Sequence, residues 1–452
     1  MSKPTVNSTQ QDILSDNDDL NYATLTDALE QTVFENFDDG LYIGMMSGTS
    51  LDGMDAVLCQ FSNGSADNST SAPMTLVATY SQDFPPRLRE MLLALCQPNG
   101  ISDLIFQDDK SNNEPNSKSS ELDWFGWASR AYGEFASEVV NKLVQQANID
   151  LEAILAIGCH GQTVRHRPQM GFSLQLLDAN IIAERTGISV VSDFRRRDMA
   201  VGGQGAPLVP AFHQALFADS NTTRVMLNLG GIANIAVLPA TQSDDDKQNE
   251  QPVVGYDTGP ANLLLDAWTL LHTGKSYDAT GAWAQTGRVI SPLLNQLLSH
   301  SFFEKKYPKS TGREDFNLDW LQEELQTFDT HSPDTRYSSA DVQATLTELT
   351  AVTASNQIRQ FTTSEDAAIE SERAEVYVCG GGALNSYLMT RLQAHLPHCK
   401  VTTTASLGLE PTWVEAVAFA WLARQTLMGE TGNLPAVTGA NKHVVLGQVC
   451  FA

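Results

Sequence analysis

The sequence predicts an α/β protein made of two α/β domains, the second repeating the first in form, with a ligand cleft between them. Three observations carry that expectation. Leu41–Phe61 and Arg224–Leu238 each read as apolar strand, glycine turn, apolar strand. Each hairpin is followed by strand-length apolar runs alternating with stripes at i, i+3, i+4 spacing. Polar or glycine-rich runs stand at the ends of these strands, where open α/β sheets bind ligands. The 452 residues are enough for two such cores.

Composition narrows the class of function. Hydrophobic and charged contents of 42% and 18% are those of a globular protein, but the formal charge of −26 is extreme. It argues against nonspecific nucleic-acid binding and against adhesion to anionic lipid. It does not exclude nucleotides, because a local cluster of donors holds a phosphate in any acidic protein. The six cysteines form no CxxC pair, and several sit inside apolar runs, which favours a reducing compartment. The N-terminus lacks a basic start followed by an apolar run, and no stretch reaches the ~20 apolar residues of a membrane span. The expected location is the cytoplasm.

Residues 1–40 are polar and acidic and read as an extension of little order, with a short amphipathic helix possible at Leu25–Phe37. The first hairpin, LYIGMMSGTSLDGMDAVLCQF, holds Gly48, Thr49, Ser50 and Gly53 in series. Such a turn offers backbone N–H groups and hydroxyls to an anion. Asp52 and Asp55 at its far side repel that anion unless a cation lies between, so the arrangement points to a magnesium–nucleotide phosphate site. An ordinary glycine-rich hairpin is the competing reading. Pro85 and Pro86 suit the first turn of a helix with Leu88, Met91, Leu92 and Leu95 on one face. Asp123 is expected to cap the next helix, whose stripe is Ala128, Tyr132, Phe135, Val139 and Leu143.

Ile154–Gly158 reads as a buried strand ending in the polar run CHGQTVRHRP. His160, Thr163, Arg165 and His166 are therefore site candidates, each of which can also be a hydrogen-bonded loop residue. The two histidines are six apart, not the i, i+4 spacing of two metal ligands on one helix face. Ile188–Ser192 is a further strand, followed by Asp193-Phe194-Arg195-Arg196-Arg197-Asp198 and then GGQGAP. Positive charge beside Asp193 keeps it ionised and able to accept a proton; a surface charge cluster is the alternative.

The second hairpin turns at Gly230-Gly231. Beyond it Asp257, in GYDTGP with Gly259, reads as a second magnesium-side or phosphate-side carboxylate before a helix carrying Leu264, Ala267, Trp268 and Leu271. Gly274-Lys275-Ser276 mimics the end of a phosphate loop, but Thr269 stands where the leading glycine is required. Glu375–Cys379 reads as a strand running into Gly380-Gly381-Gly382, a platform for the adenosine part of a nucleotide. Pro411 opens the last helix, with Val414, Val417, Ala418 and Trp421 inward. Glu415 lies beside that stripe, and spacing alone leaves open whether it faces a cleft or water.

In order, GMMSGTSLDGMDAVL, GCHGQTVRHRP, SDFRRRDMAVGGQGAPLVP, NLGGIANI, YDTGPAN, CGGGALN and PTWVEAVAFAWLA resemble the anhydro-N-acetylmuramic acid kinase family, from about Tyr42 to the end. The resemblance implies a fold of the sugar kinase/actin/heat-shock ATPase type. The expected division is a first domain of 41–222 with 413–452 and a second of 223–412. It also implies that ATP, water and 1,6-anhydro-N-acetylmuramic acid give N-acetylmuramic acid 6-phosphate and ADP in cell-wall recycling, by a homodimer. By similarity Gly48, Thr49, Ser50, Leu51, Asp52, Gly53, Met54 and Asp55 meet the ATP phosphates. Gly230, Gly231, Asp257, Gly259, Gly380 and Gly381 complete the nucleotide site, with Asp55 and Asp257 toward Mg2+. Asp193 becomes the catalytic base, and Thr163, Arg165 and Glu415 become sugar contacts. The sequence departs from the family in its first 40 residues and in polar loops near 62–72, 107–120, 242–251 and 363–373.

Overall fold

The computed structural model describes residues 37–48, 51–62, 73–103, 115, 119–240, 251–362 and 374–452. The amphipathic stretch at 25–36, Thr49, Ser50 and most of the polar insertions lie outside the described residues.

Two mixed sheets form the frame, and they repeat one topology. The first contains β1 (Gly40–Met46), β2 (Gly53–Phe61), β3 (Met74–Asp83), β4 (Ile154–Cys159) and β7 (Val190–Ser192), with β13 (Gln448–Cys450) added from the far end of the chain. Its order is β3-β2-β1-β4-β7-β13. The second contains β8 (Arg224–Leu229), β9 (Ile232–Leu238), β10 (Val254–Pro260), β11 (Glu375–Cys379) and β12 (Lys400–Thr403), in the order β10-β9-β8-β11-β12. In each, three antiparallel strands from two successive hairpins lead to a central strand, and two further strands join it in parallel. The duplication read from the two hairpins therefore extends through five strands.

The central strands read as apolar runs because both faces are covered. In β1, Tyr42, Ile43 and Met45 are fully buried. Ile43 and Met45 pack with the helix Glu121–Ala147 and its Tyr132, Phe135 and Val139. The opposite face meets the helix Val414–Leu427, which is buried on nearly all sides and lies between the sheets. One apolar cluster joins Tyr42 and Val57 of the first sheet, Val417 and Phe419 of that helix, and Met226 and Tyr377 of the second. Two glycines permit this approach. A Cβ on Gly44 would lie 1.9 Å from the Ala416 carbonyl oxygen, and one on Gly158 would lie 2.0 Å from that of Phe419.

Local chemistry differs from expectation at a few points. Ser120, not Asp123, caps the helix Glu121–Ala147. Asp123 is its third residue and returns the bond, accepting from the Ser120 N–H at 2.7 Å in a capping box. The run after β4 is not a loop. Gln162–Arg167 forms β5, paired with β6 (Phe172–Leu176) in a separate two-stranded sheet. Leu271 is 52% exposed; Leu265 takes the inward place instead. Gly274 ends its helix at φ 72°, as a C-terminal cap rather than a phosphate loop. Among the described residues, no helix is long and apolar enough to cross a membrane. All six cysteines are free thiols.

Candidate active site

The turn between β1 and β2 is held from below. The Ser47 hydroxyl lies 2.8 Å from the Tyr132 hydroxyl, and Leu51 N–H donates to the Gly48 carbonyl at 3.3 Å. Leu51 has φ 57°, a left-handed conformation costly for a branched side chain. Arg89 donates to the Leu51 carbonyl at 2.9 Å and pairs with exposed Asp52 at 3.3 Å. Gly53 has no room for a side chain, since a Cβ there would sit 2.4 Å from the Gln82 carbonyl oxygen. Met54 is buried. Asp55, opposite Met46 in the β1–β2 register, is partly buried. Burial raises its pKa, and a bond to the Ser81 side chain opposes that rise.

The second hairpin has its own support. Gly230 and Gly231 offer their carbonyls to the backbone N–H groups of Asn262 and Ala261, at 3.1 and 3.0 Å, which seats the helix Asn262–Thr273 against the turn. Gly380, at φ 79°, would place a Cβ 2.4 Å from Asn228 Oδ1, and Gly381 faces the Asn262 amide. Asp257 and Gly259 lie within β10 rather than in a turn after it. Gly259, at φ 150°, passes so close to Phe303 that a Cβ would lie 2.9 Å from the ring. Asp257 Oδ2 accepts from Ser310 Oγ at 2.9 Å and Thr311 N–H at 3.0 Å. Burial nonetheless pushes its pKa up to about 6.

The three arginines after Asp193 have three environments. Asp193 follows β7 at φ 55°, a left-handed conformation, and precedes the helix Phe194–Ala200; its side chain is 15% exposed. Arg196 grips it, with Nε donating to Oδ1 at 2.8 Å and a second nitrogen against Oδ2. Arg197 is exposed. Arg195 turns inward: Nε donates to His160 Nε2 at 3.0 Å and Nη1 to the Gly205 carbonyl at 2.7 Å. Asp198, fully buried, ties the glycine loop down. Its Oδ2 accepts from Gly205 N–H at 2.9 Å, and its Oδ1 accepts from Asn433 and Thr438, each at 2.8 Å.

Glu415 faces the cleft, which sequence spacing left open. It sits in the first turn of Val414–Leu427, where the helix dipole favours a carboxylate. Asn228 of the second sheet donates to its Oε1 at 3.2 Å. Burial raises its pKa, while the Arg195 charge and the Asn228 bond hold it down. Arg195, Asn228, Glu415 and Asp257 line a cavity of about 190 Å³ between the two sheets.

None of the β5 residues lines that cavity. Thr163 Oγ1 accepts from Gln175 at 3.0 Å. Arg165 is committed to the carbonyls of Leu95, Val164 and Gln97 and to Glu121, the last at 3.0 Å. His166 lies 3.0 Å from Ser173 Oγ; burial and the charges of Arg195 and Arg167 push its pKa down to about 4.

Sequence reading passed over three residues of this region. Asn228 looked like one polar position in an apolar strand, and only the fold reveals that it reaches Glu415. Asp198 closed the charged run after Asp193 without a role of its own. Asp266, on the helix Asn262–Thr273, has its pKa pushed up to about 7 by burial and then by the charges of Asp52 and Asp278. Asp52 belongs to the first hairpin, so this carboxylate feels the opposite wall of the cleft.

Comparison with known proteins now bears on these groups. Residues 40–452 match the family described as anhydro-N-acetylmuramic acid kinase. A Psychrobacter arcticus protein of that description is 75% identical over 448 residues, covering 96% of this chain and 100% of its own. One from Psychrobacter cryohalolentis is 77% identical over 442 residues, with the same coverage. One from Acinetobacter baylyi is 46% identical over 416 residues, covering 90% of this chain and 98% of its own.

Proposed function

Because this chain belongs to the anhydro-N-acetylmuramic acid kinase family, we propose that it converts 1,6-anhydro-N-acetylmuramic acid, ATP and water to N-acetylmuramic acid 6-phosphate and ADP in peptidoglycan recycling, with Asp193 as the base. The observation that carries the assignment of the base is the placement of Asp193. It stands at a strand end in a strained left-handed conformation, with Arg196 fixing its carboxylate. Such strain in a non-glycine residue is kept where the surroundings over-determine it, most often at functional positions.

The reaction makes and breaks two bonds. A water oxygen bonds the anomeric carbon as its bond to O6 breaks, and Asp193 takes the water's proton. O6, freed from the bridge, bonds the γ-phosphorus as the bond to the ADP oxygen breaks. Glycosidases use two carboxyl groups for such a cleavage, one protonating the leaving oxygen. Here the phosphorus accepts the leaving oxygen, which reduces the need for that acid.

The donor side follows from the two hairpins. The turn from Gly48 to Asp55 supplies N–H and hydroxyl donors to the phosphates, and Gly230, Gly231, Gly259, Gly380 and Gly381 let backbone approach the nucleotide. Mg2+ keeps several waters and takes one or two carboxylates besides phosphates. Asp55, beneath the turn, fits that role; Asp257, with Oδ2 already engaged, offers only Oδ1. The ion, when bound, supplies charge neutralisation at the phosphates. On the acceptor side Glu415 faces the cavity; Arg165 reaches the sugar only by exchanging some of its present bonds, whereas Thr163, which accepts from Gln175, keeps its hydroxyl proton to donate. The domain division at 41–222 with 413–452 and 223–412, the homodimer and the cytoplasmic setting belong to this same reading.

The test is Asp193→Asn, which keeps shape and removes the base. Sugar-dependent ADP release is expected to fall by about 10²-fold to 10⁴-fold, with an unchanged melting temperature. Near-normal turnover by a folded variant would exclude Asp193 as the base.

A further inference from the structure

The face that the second sheet turns toward the first changes character from one row of residues to the next. Met226 on β8, Ala236 on β9 and Gly255 on β10 stand side by side in the register. Met226 and Ala236 belong to the apolar cluster between the sheets. Two positions along each strand, on the same face, the row is Asn228, Asn234 and Asp257. All three line the cavity of about 190 Å³. Polar groups in such a place need partners. Asn228 donates to Glu415 Oε1, and Asp257 Oδ2 accepts from Ser310 and Thr311. Asn234 stands between them, half-buried, and among the described residues its carboxamide makes no hydrogen bond.

The glycine loop after Asp198 brings a second unspent carboxamide to the same cavity. Its backbone is pinned at four successive residues. Gly202 N–H donates to the Met199 carbonyl at 3.0 Å, Gly203 N–H to the Asp198 carbonyl at 3.0 Å, and Gln204 N–H to the Thr438 carbonyl at 2.8 Å. Gly205 N–H donates to Asp198 Oδ2 at 2.9 Å. Gln204 lines the cavity and is exposed, and among the described residues its side chain makes no hydrogen bond. A fixed backbone that presents a free amide is preorganised to bind. We propose that Gln204 and Asn234 are specificity-determining residues that bind the acetamido group of the acceptor sugar.

The inference rests on the anhydro sugar being the acceptor, as proposed above. Outside its ring and bridge that sugar carries an acetamido group, a lactyl carboxylate and one hydroxyl. A side-chain carboxamide offers both donor and acceptor, which answers the acetamido C=O and N–H together. The hydroxyl has a single proton to give. The carboxylate is disfavoured beside Asn234, because Asp257 is its neighbour in the row and Glu415 holds Asn228. The cations lining the cavity are engaged elsewhere. Arg195 gives Nε to His160 and Nη1 to the Gly205 carbonyl. Lys309 Nζ lies 4.6 Å from the Phe302 ring centre and donates to the Phe302 carbonyl at 3.4 Å. Pro207, Leu208 and Val414 also line the cavity and suit the acetamido methyl.

The test compares two sugars on the wild type, Asn234→Ala and Gln204→Ala: the anhydro sugar, and an analogue with a hydroxyl in place of the acetamido group. Sugar-dependent ADP release gives kcat and KM, and calorimetry without ATP gives sugar affinity. Each variant is expected to lose about tenfold in kcat/KM and in affinity for the acetamido sugar, mainly through KM. On the analogue each is expected to stay within about twofold of the wild type. Equal losses on both sugars would make the residues structural and overturn the proposal. Wild-type kinetics and affinity on the acetamido sugar in both variants would overturn it too, and a loss in one variant alone would overturn the role of the other residue. A wild type that releases no ADP with the anhydro sugar would instead defeat the acceptor reading itself, and the inference with it.

Discussion

Replacing Gly44 by alanine adds one methyl group in the middle of β1 and is expected to damage both stability and activity. The new Cβ would lie 1.9 Å from the Ala416 carbonyl oxygen and 2.7 Å from the Ala420 nitrogen. Both are backbone atoms of the helix Val414–Leu427, so no side chain can rotate away. Restoring an ordinary contact of 3.4 Å requires the helix or strand to retreat by about 1.5 Å. That retreat opens the apolar cluster shared by both sheets, at a cost of about 3 kcal/mol. Glu415, the proposed sugar contact, precedes Ala416 by one residue and moves with it, and a misplacement of about 1 Å at the site lowers turnover by about 10²-fold. Urea unfolding reads the first effect and sugar-dependent ADP release reads the second. A variant with wild-type midpoint and turnover within twofold would refute the claim that this helix is fixed directly on the strand.

Three further outcomes follow from the same structure. Gly126 lies exposed in the helix Glu121–Ala147 with nothing within 4 Å of an added Cβ, so Gly126→Ala is expected to stabilise by about 0.5–1 kcal/mol in the same urea assay. Asp198→Ala leaves the Gly205 N–H, the Asn433 amide and the Thr438 hydroxyl without their buried acceptor; a loss of about 3 kcal/mol or more is expected in thermal unfolding. Asp266, with its folded pKa raised to about 7, binds a proton more tightly folded than unfolded. Its contribution to stability is therefore complete below about pH 4 and is lost as pH rises through 7, by at most about 4 kcal/mol. Asp266→Asn should gain on the wild type across that interval, and melting temperatures that keep a constant difference from pH 4 to 8 would contradict this.

Much of the frame was legible because its signals are local. Apolar runs of strand length bounded by glycine mark Gly40–Met46, Ile154–Cys159 and Glu375–Cys379, and a strand covered on both faces cannot be anything but apolar. The likeness of two hairpins pointed to a duplication that the strand orders carry through both sheets. What stayed illegible depends on distance in three dimensions. Arg195, Arg196 and Arg197 are identical letters, yet one is turned inward by His160, one holds Asp193, and one meets solvent. The β5 strand escaped because its QTVRHR is polar, being covered on one side only. Asn228 and Glu415 are 187 positions apart, and no periodicity in either segment hints that they meet.

The central claim is that one active site opens the anhydro bridge with water and phosphorylates the oxygen thus released. It is tested most directly by running the reaction in 18O-labelled water with ATP and 1,6-anhydro-N-acetylmuramic acid, then weighing the product and its fragments. The account predicts ADP release only when the sugar is present, and a sugar 6-phosphate carrying one heavy oxygen at the anomeric carbon and none on phosphorus. Heavy oxygen on the phosphate, a product that keeps its bridge, or ADP release indifferent to the sugar would contradict it.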